Sequence, residues 1–351
     1  MTDDRAVLEV KNLKVTYTRG FARAPVTAVS DVSLAVRRGK TVSIVGESGS
    51  GKTTIGAAIL GLQSVASGSI ILNGKDITGL TGKERRTIRG KLQAVFQNPS
   101  SSLDPSKTVG HAIAEPLSVA QPDLGAGAVR NAVVAALERV GLKAEAMYRY
   151  PGEFSGGQCQ RIAIARALIM NPEVVICDEA VSALDVSVQA QVLNLLDDLQ
   201  RKDGVSYIFI SHNMAVVRHI SDRVVVLYRG RVMEDGPAEA VCNDPAHPYT
   251  RALLASVPVP DVAAQKERRR LRNETAQAAS PAVPLLTSGC PFAPRCAYAR
   301  YACTQALPPL STMDDGRKVA CVRIDEIEKS NRLEALSISP IVLPKTDTLV
   351  V

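Results

Sequence analysis

The chain contains no tryptophan, and its aromatic residues amount to only 4% of 351 positions. It also lacks any apolar run approaching the roughly 20 residues needed to cross a bilayer, which excludes a membrane-spanning helix. The opening residues, MTDDRAVLEV, are acidic and have neither the basic flank nor the apolar centre of a signal peptide. A protein of the cytosol is expected, held at a membrane only through partners. Charge of one sign is scarce too: the net +7 is a modest, dispersed excess, concentrated only in KERRRLR at 266–272. No aromatic residues are interleaved with that run, so it reads as a solvated linker helix and no nucleic-acid partner is expected. What the chain does have is 46% hydrophobic residues, enough for a sizeable core, in a length that suggests two or three domains.

The organising stretch is TVSIVGESGSGKTT at 41–54. A β-branched strand runs into a glycine-rich turn, and a helical run to Leu62 begins at Lys52. This is the G-x-x-x-x-G-K-[ST] phosphate loop, formed by Gly46, Glu47, Ser48, Gly49, Ser50, Gly51, Lys52 and Thr53, with Thr54 just inside the helix. Glycines let successive N–H groups face a polyphosphate, and the helix start adds positive potential. Lys52 is expected to reach the β- and γ-phosphates of a nucleotide and Thr53 to bind Mg²⁺. Coincidence would produce such a string in a chain of this size with odds of about one in a hundred.

Further signals follow along the chain. Residues 7–18 and 29–36 alternate as two antiparallel edge strands, with Tyr17 placed to stack on a base and Phe21 competing for that role. Residues 69–72 and Asn73-Gly74 predict another strand and hairpin. Gln97 follows a strand, at the carboxyl end where open α/β sheets present ligand groups. Residues 98–165 predict a mostly helical insertion. Within it Ser155, Gly156, Gly157 and Gln158 form a turn that opens an amphipathic helix, a second place suited to an anion. The apolar run 174–177 ends in Asp178 and Glu179, suited to a Mg²⁺ contact and to polarising a water. A further buried strand, 205–210, ends at His212, and 224–228 with 231–234 forms a last hairpin. His111, His219 and His247 lack such placement and read as structural or solvated.

Taken in order, Tyr17, the phosphate loop, Gln97, the SGGQ turn, Asp178-Glu179 and His212 resemble the ATP-binding subunit of an ATP-binding cassette transporter across residues 7 to about 255. The resemblance implies a RecA-like P-loop α/β core with an antiparallel β subdomain, and two subunits sandwiching two ATP molecules head to tail. Ser155 and Gly157 would then act on the neighbour's γ-phosphate. Asp178, Thr53 and Gln97 would hold Mg²⁺, Glu179 would orient or deprotonate water, His212 would bond the γ-phosphate and Asp185 would communicate across the dimer. Phe154, Cys159 and Ala180 depart from the common pattern without removing a reacting group. Segments 95–117, 176–200 and 247–254 are similar to importers of oligopeptides and dipeptides, whose relatives handle nickel or glutathione. That group pairs two related ATPase subunits with two permeases and an extracytoplasmic binding protein, which places this chain peripherally on the cytoplasmic side of the inner membrane. A non-transport ATPase of the same superfamily would carry a long coiled coil or a second cassette, and neither is present.

After a linker at 256–288, Cys290, Cys296, Cys303 and Cys321 crowd a short segment, 289–325. Four thiols there argue against disulfides in the cytosol and for a metal site, although no C-x2-C zinc knuckle occurs. By itself this leaves an iron–sulfur cluster, zinc or free thiols. The segment resembles the C-terminal part of peptide-importer ATPases, which can carry a 4Fe–4S cluster. From residue 326 on, a weakly patterned tail is expected.

Overall fold

The computed structural model describes residues 5–18, 25–98, 102–256 and 288–330. Phe21, nearly all of the linker with its basic run, and residues 331–351 lie outside the described residues.

The alternating N-terminal segments form β1 (Ala6–Tyr17) and β2 (Val26–Arg37), paired antiparallel. They join β4 (Ser67–Leu72) and β5 (Lys75–Asp76) in a four-stranded sheet ordered β2-β1-β4-β5. Their inward residues, such as Leu8, Leu13 and Ile70, pack with Ile55 and Ile59 of α1 (Lys52–Ile59) in one apolar cluster. The helix stops short of the expected Leu62 because Gly61 turns left-handed at φ 69°.

Continuous apolar runs make the centre of an eight-stranded sheet. β3 (Thr41–Val45), β6 (Leu92–Val95), β7 (Val174–Asp178), β8 (Ser206–Ser211) and β9 (Arg223–Tyr228) lie parallel in the order β9-β3-β8-β7-β6. β3 and β8 are buried at every position, as parallel strands covered on both faces must be. The register sets Val45 beside Ser211, Val95 beside Cys177 and Asp178 beside Ile210. The loops after β3, β6, β7 and β8 therefore emerge along one edge.

The insertion is helical as expected, built on α3 (Val109–Ala120), α4 (Ala126–Arg139) and α5 (Gly156–Leu168), with Ile113, Leu137 and Ile162 buried together. α6 (Val186–Asp203) packs Val192, Leu193 and Leu196 into the same cluster.

The C-terminal residues are not a separate appendage. β10 (Arg231–Pro237) pairs antiparallel with β9, and the short β12 (Lys318–Val319), itself paired with β11 (Ser311–Thr312), adds to β10. The Ala320 N–H donates to the Met233 carbonyl at 2.9 Å. The tail expected from residue 326 begins as a helix, Ile324–Ser330, which buries Ile327. Seven residues with one inward apolar side chain are too few to give a readable period.

Candidate functional site

The phosphate loop has the form its glycines predict. Gly51 sits at φ 103°, and a Cβ on Gly46 would come within 2.1 Å of the Leu227 carbonyl oxygen. Any larger residue at either position would deform the cradle. Lys52, only 6% exposed, donates from Nζ to the carbonyls of Gly46 and Glu47, both at 2.9 Å. Burial pulls its ammonium below the ordinary lysine range, opposed by the carboxylates of Glu179, Asp178 and Glu47. Among the described residues the buried Ser50 hydroxyl has no hydrogen-bond partner, an open polar position inside a loop shaped for an anion.

The strand ends bring the remaining groups together. Thr53 Oγ1 donates to Asp178 Oδ1 at 3.3 Å, a pair of neighbouring oxygens suited to a hard cation such as Mg²⁺. Burial raises the Asp178 carboxyl and the Glu179 charge adds to this, against the Thr53 hydrogen bond and Lys52, which lower it. Gln97 Nε2 donates to Glu179 Oε2 at 2.8 Å, and His212 Nδ1 lies 3.2 Å from Glu179 Oε1. Glu179 itself occupies the left-handed region at φ 49°, its N–H fixed on the Ile210 carbonyl at 2.9 Å. A non-glycine residue in that region costs on the order of 1 kcal/mol or more, and such strain concentrates at functional sites.

Tyr17 Oη lies 3.2 Å from Thr54 Oγ1, so the ring stands at the start of α1 with 36% of its surface open. The SGGQ turn belongs to the helical subdomain and makes its hydrogen bonds within itself. Ser155 accepts from the Gln158 N–H, and Gln158 accepts from the Ser155 N–H, a capping box. A Cβ on Gly157 would meet Val188 Cγ1 at 2.3 Å, so the turn rests on the first residues of α6, which Asp185 caps through the Val188 N–H. Within one chain the structure thus gathers the loop, Gln97, Asp178, Glu179 and His212, and among the described residues no hydrogen bond joins Ser155–Gln158 to them.

Two contacts to the loop were missed in the sequence. The Glu47 N–H donates to Tyr249 Oη at 2.9 Å, and both Glu47 carboxylate oxygens accept from Arg295 at 2.8 Å. Tyr249 and Arg295 lie in HPYTRALL and GCPFAPRC, which carried the family resemblance, but no local spacing ties them to residue 47.

Cys290, Cys296, Cys303 and Cys321 all line one small cavity of about 20 Å³. Burial pushes the Cys290 thiol up to about 11 and Cys296 to about 12, and raises Cys321 as well. Four sulfurs are the donor set of an iron–sulfur cluster, but the cavity between them is too small to hold one as it stands. The cavity admits about one water, and among the described residues no group of three or more His, Cys, Asp or Glu is arranged to hold a metal ion.

Residues 29–182 match the ABC transporter family, and residues 233–303 match the C-terminal region of oligopeptide/dipeptide transporters. The chain is 44% identical over 330 residues to the oligopeptide transport ATP-binding protein OppF of Salmonella typhimurium, covering 92% of this chain and 98% of that one. It is 45% identical over 346 residues to a probable peptide ABC transporter ATP-binding protein of Sinorhizobium fredii, covering 97% and 96%. Among solved structures it resembles the dimeric post-hydrolysis state of an ATP-binding cassette bound to ADP and Pi, with a TM-score of 0.59 and 29% identity over 66% of this chain and 98% of that one.

Proposed function

Since the chain belongs to the ATP-hydrolysing, ATP-binding subunits of ABC transporters of the oligopeptide class, we propose that it powers import of di- and oligopeptides through a membrane complex. The observation that carries this is the Glu179 carboxylate, held between Gln97 and His212 at the end of β7 beside the Thr53–Asp178 pair. In that geometry Lys52 and the loop N–H groups bind the phosphates, and Tyr17 stacks on the base. Thr53, Asp178 and Gln97 would hold Mg²⁺, which when bound would offset the negative charge of the phosphates. Glu179 orients or deprotonates the attacking water, and His212 bonds the γ-phosphate. Ser155, Gly156, Gly157 and Gln158 act on the nucleotide of a second ATPase subunit, with Asp185 at the same junction. Among the described residues they make no hydrogen bond to the chain's own loop, which supports that assignment.

The permease partners are supported by a groove of about 690 Å³ between the loop after β6 and the helical subdomain. Leu62, Phe96 and Val119 open into it, exposed by 69%, 47% and 67%. A groove with these apolar side chains, edged by Arg86, Arg89, Arg166 and Glu115, suits an amphipathic helix of a partner. Among the described residues no helix is long and apolar enough to cross a membrane; the likeness to ATP-binding proteins of oligopeptide transport supports a subunit attached peripherally on the cytoplasmic side. An extracytoplasmic binding protein would deliver cargo to the permeases.

For the cysteines we propose a 4Fe–4S cluster on the donor set alone; the cavity has to widen to take it, and no step of hydrolysis passes through it. Iron and acid-labile sulfide in anaerobically purified protein test this, and neither being present overturns it.

The transport reading is tested by reconstituting the chain in vesicles with its sister ATPase and two permeases. ATP hydrolysis is expected to rise when peptide-loaded binding protein is added. No stimulation overturns the reading, and stimulation only by a nickel- or glutathione-loaded protein replaces the cargo.

A further inference from the structure

Arg295 lies in a short turn, Ala293–Arg295, between Cys290 and Cys296, yet its guanidinium reaches the phosphate loop. Nη1 donates to Glu47 Oε2 and Nη2 to Glu47 Oε1, both at 2.8 Å, a two-pronged pairing. The head group is seated over the rings of Phe292 and Tyr228, 5.6 and 5.8 Å from their centroids, with Tyr228 Oη 3.4 Å from Nη1. Phe292, Tyr228 and Tyr249 form one aromatic cluster, and Tyr249 holds the Glu47 N–H. One residue of the loop is therefore gripped through both its main chain and its side chain.

Glu47 sets a negative charge beside a cradle shaped for an anion. Arg295 holds its carboxyl below the usual range, against a smaller burial effect, with Arg229 and Lys52 contributing more weakly. A carboxylate released from Arg295 would feel two other cations, Arg229 more strongly and Lys52, whose Nζ lies on the Glu47 carbonyl inside the cradle. There it would compete with the phosphates and repel them. Both side chains of the pair are about half exposed, at 52% and 42%, so the bridge adds little to folding itself, and its consequence falls on the ligand.

We propose that Arg295 is a positioning residue for the nucleotide: it neutralises Glu47 and keeps that carboxylate out of the cradle, which makes the cysteine-bearing segment part of the phosphate site. The proposal rests on residues 46–53 being the ATP cradle.

The test is calorimetric titration of full-length chain with Mg-ATP, with melting curves on every variant. Arg295→Ala is expected to weaken binding about three- to tenfold. In a Glu47→Gln background the same change is expected to cost less than about twofold, because no free carboxylate remains to compete. Arg295→Lys keeps the charge without the fork and is expected to fall between; it carries the same cycle if the alanine variant does not fold. An unchanged dissociation constant in both Arg295 variants, or an equal loss in the Glu47→Gln background, overturns the proposal. A folded wild type that bound no ATP would instead bring down the cradle and this inference with it.

Discussion

At the scale of single residues, Glu179 is held by its backbone and both carboxylate oxygens, which defines what its replacement changes. Glu179→Gln keeps the volume and loses the base. ATP binding is expected to persist while turnover falls at least about a hundredfold in single-turnover kinetics, the usual contribution of a general base. Turnover at the wild-type rate would take Glu179 out of that role. Lys52→Ala acts on binding itself, because it removes a charged donor worth about 1.5–3 kcal/mol per hydrogen bond. Titration with a fluorescent ATP analogue is expected to show about 10- to 100-fold weaker binding. Both residues stood out in the sequence because their neighbours at fixed spacing form recognisable motifs, and the structure sets one in the glycine loop and the other at the end of β7. Arg295 was not, because it meets Glu47 across 248 positions.

At the scale of an element, the helix α9 (Pro248–Ala255) shows how a capping residue sets pH dependence. His247 caps it, accepting the Tyr249 N–H at Nδ1 at 2.9 Å, and is 1% exposed. Burial pulls its pKa down to about 3, against a hydrogen bond with the Ala320 backbone that raises it and Arg251, which lowers it further. Unfolded, it binds a proton near 6.5, so below that pH the unfolded chain holds more protons than the folded one. Stability is therefore complete above about pH 6.5 and lost as pH falls toward about 3, by up to about 1.4 kcal/mol per pH unit. Neighbouring Glu234 accepts the Ala246 and His247 N–H groups, and its burial-raised carboxyl acts in the opposite direction. Urea midpoints are expected to fall between pH 7 and 5, and to fall less in His247→Asn, which caps without titrating. Parallel slopes would rule the histidine out. The sequence identified His247 only as structural or solvated, since burial is invisible in a loop-like HPY segment. The helix start at the SGGQ turn, by contrast, was readable because its turn chemistry is local, although the capping box itself was not foreseen.

At the scale of the whole molecule, the strands after β9 tie the last described segment to the phosphate loop. Phe292, 3% exposed, packs on Tyr228 at 5.5 Å and Tyr249 at 5.3 Å. Phe292→Ala is expected to destabilise the protein by about 3–5 kcal/mol in urea denaturation, the range for a buried aromatic ring. It should also weaken Mg-ATP binding, since the seat of Arg295 is lost with the ring. A loss below about 1 kcal/mol with unchanged binding would mean that the segment is not integral to the core.

The sequence by itself determined the central strands, the glycine cradle, the helical insertion and the order of the candidate site residues. Each of these depends on residues within a few positions of one another, where periodicity and turn chemistry act. Only the tertiary structure decided that Gln97 and His212 meet on Glu179, because that follows from the register of three adjacent parallel strands. It also decided that the cysteine-bearing segment joins the main sheet and grips Glu47, since β12 on β10 places Arg295 there and nothing local to either partner encodes the meeting.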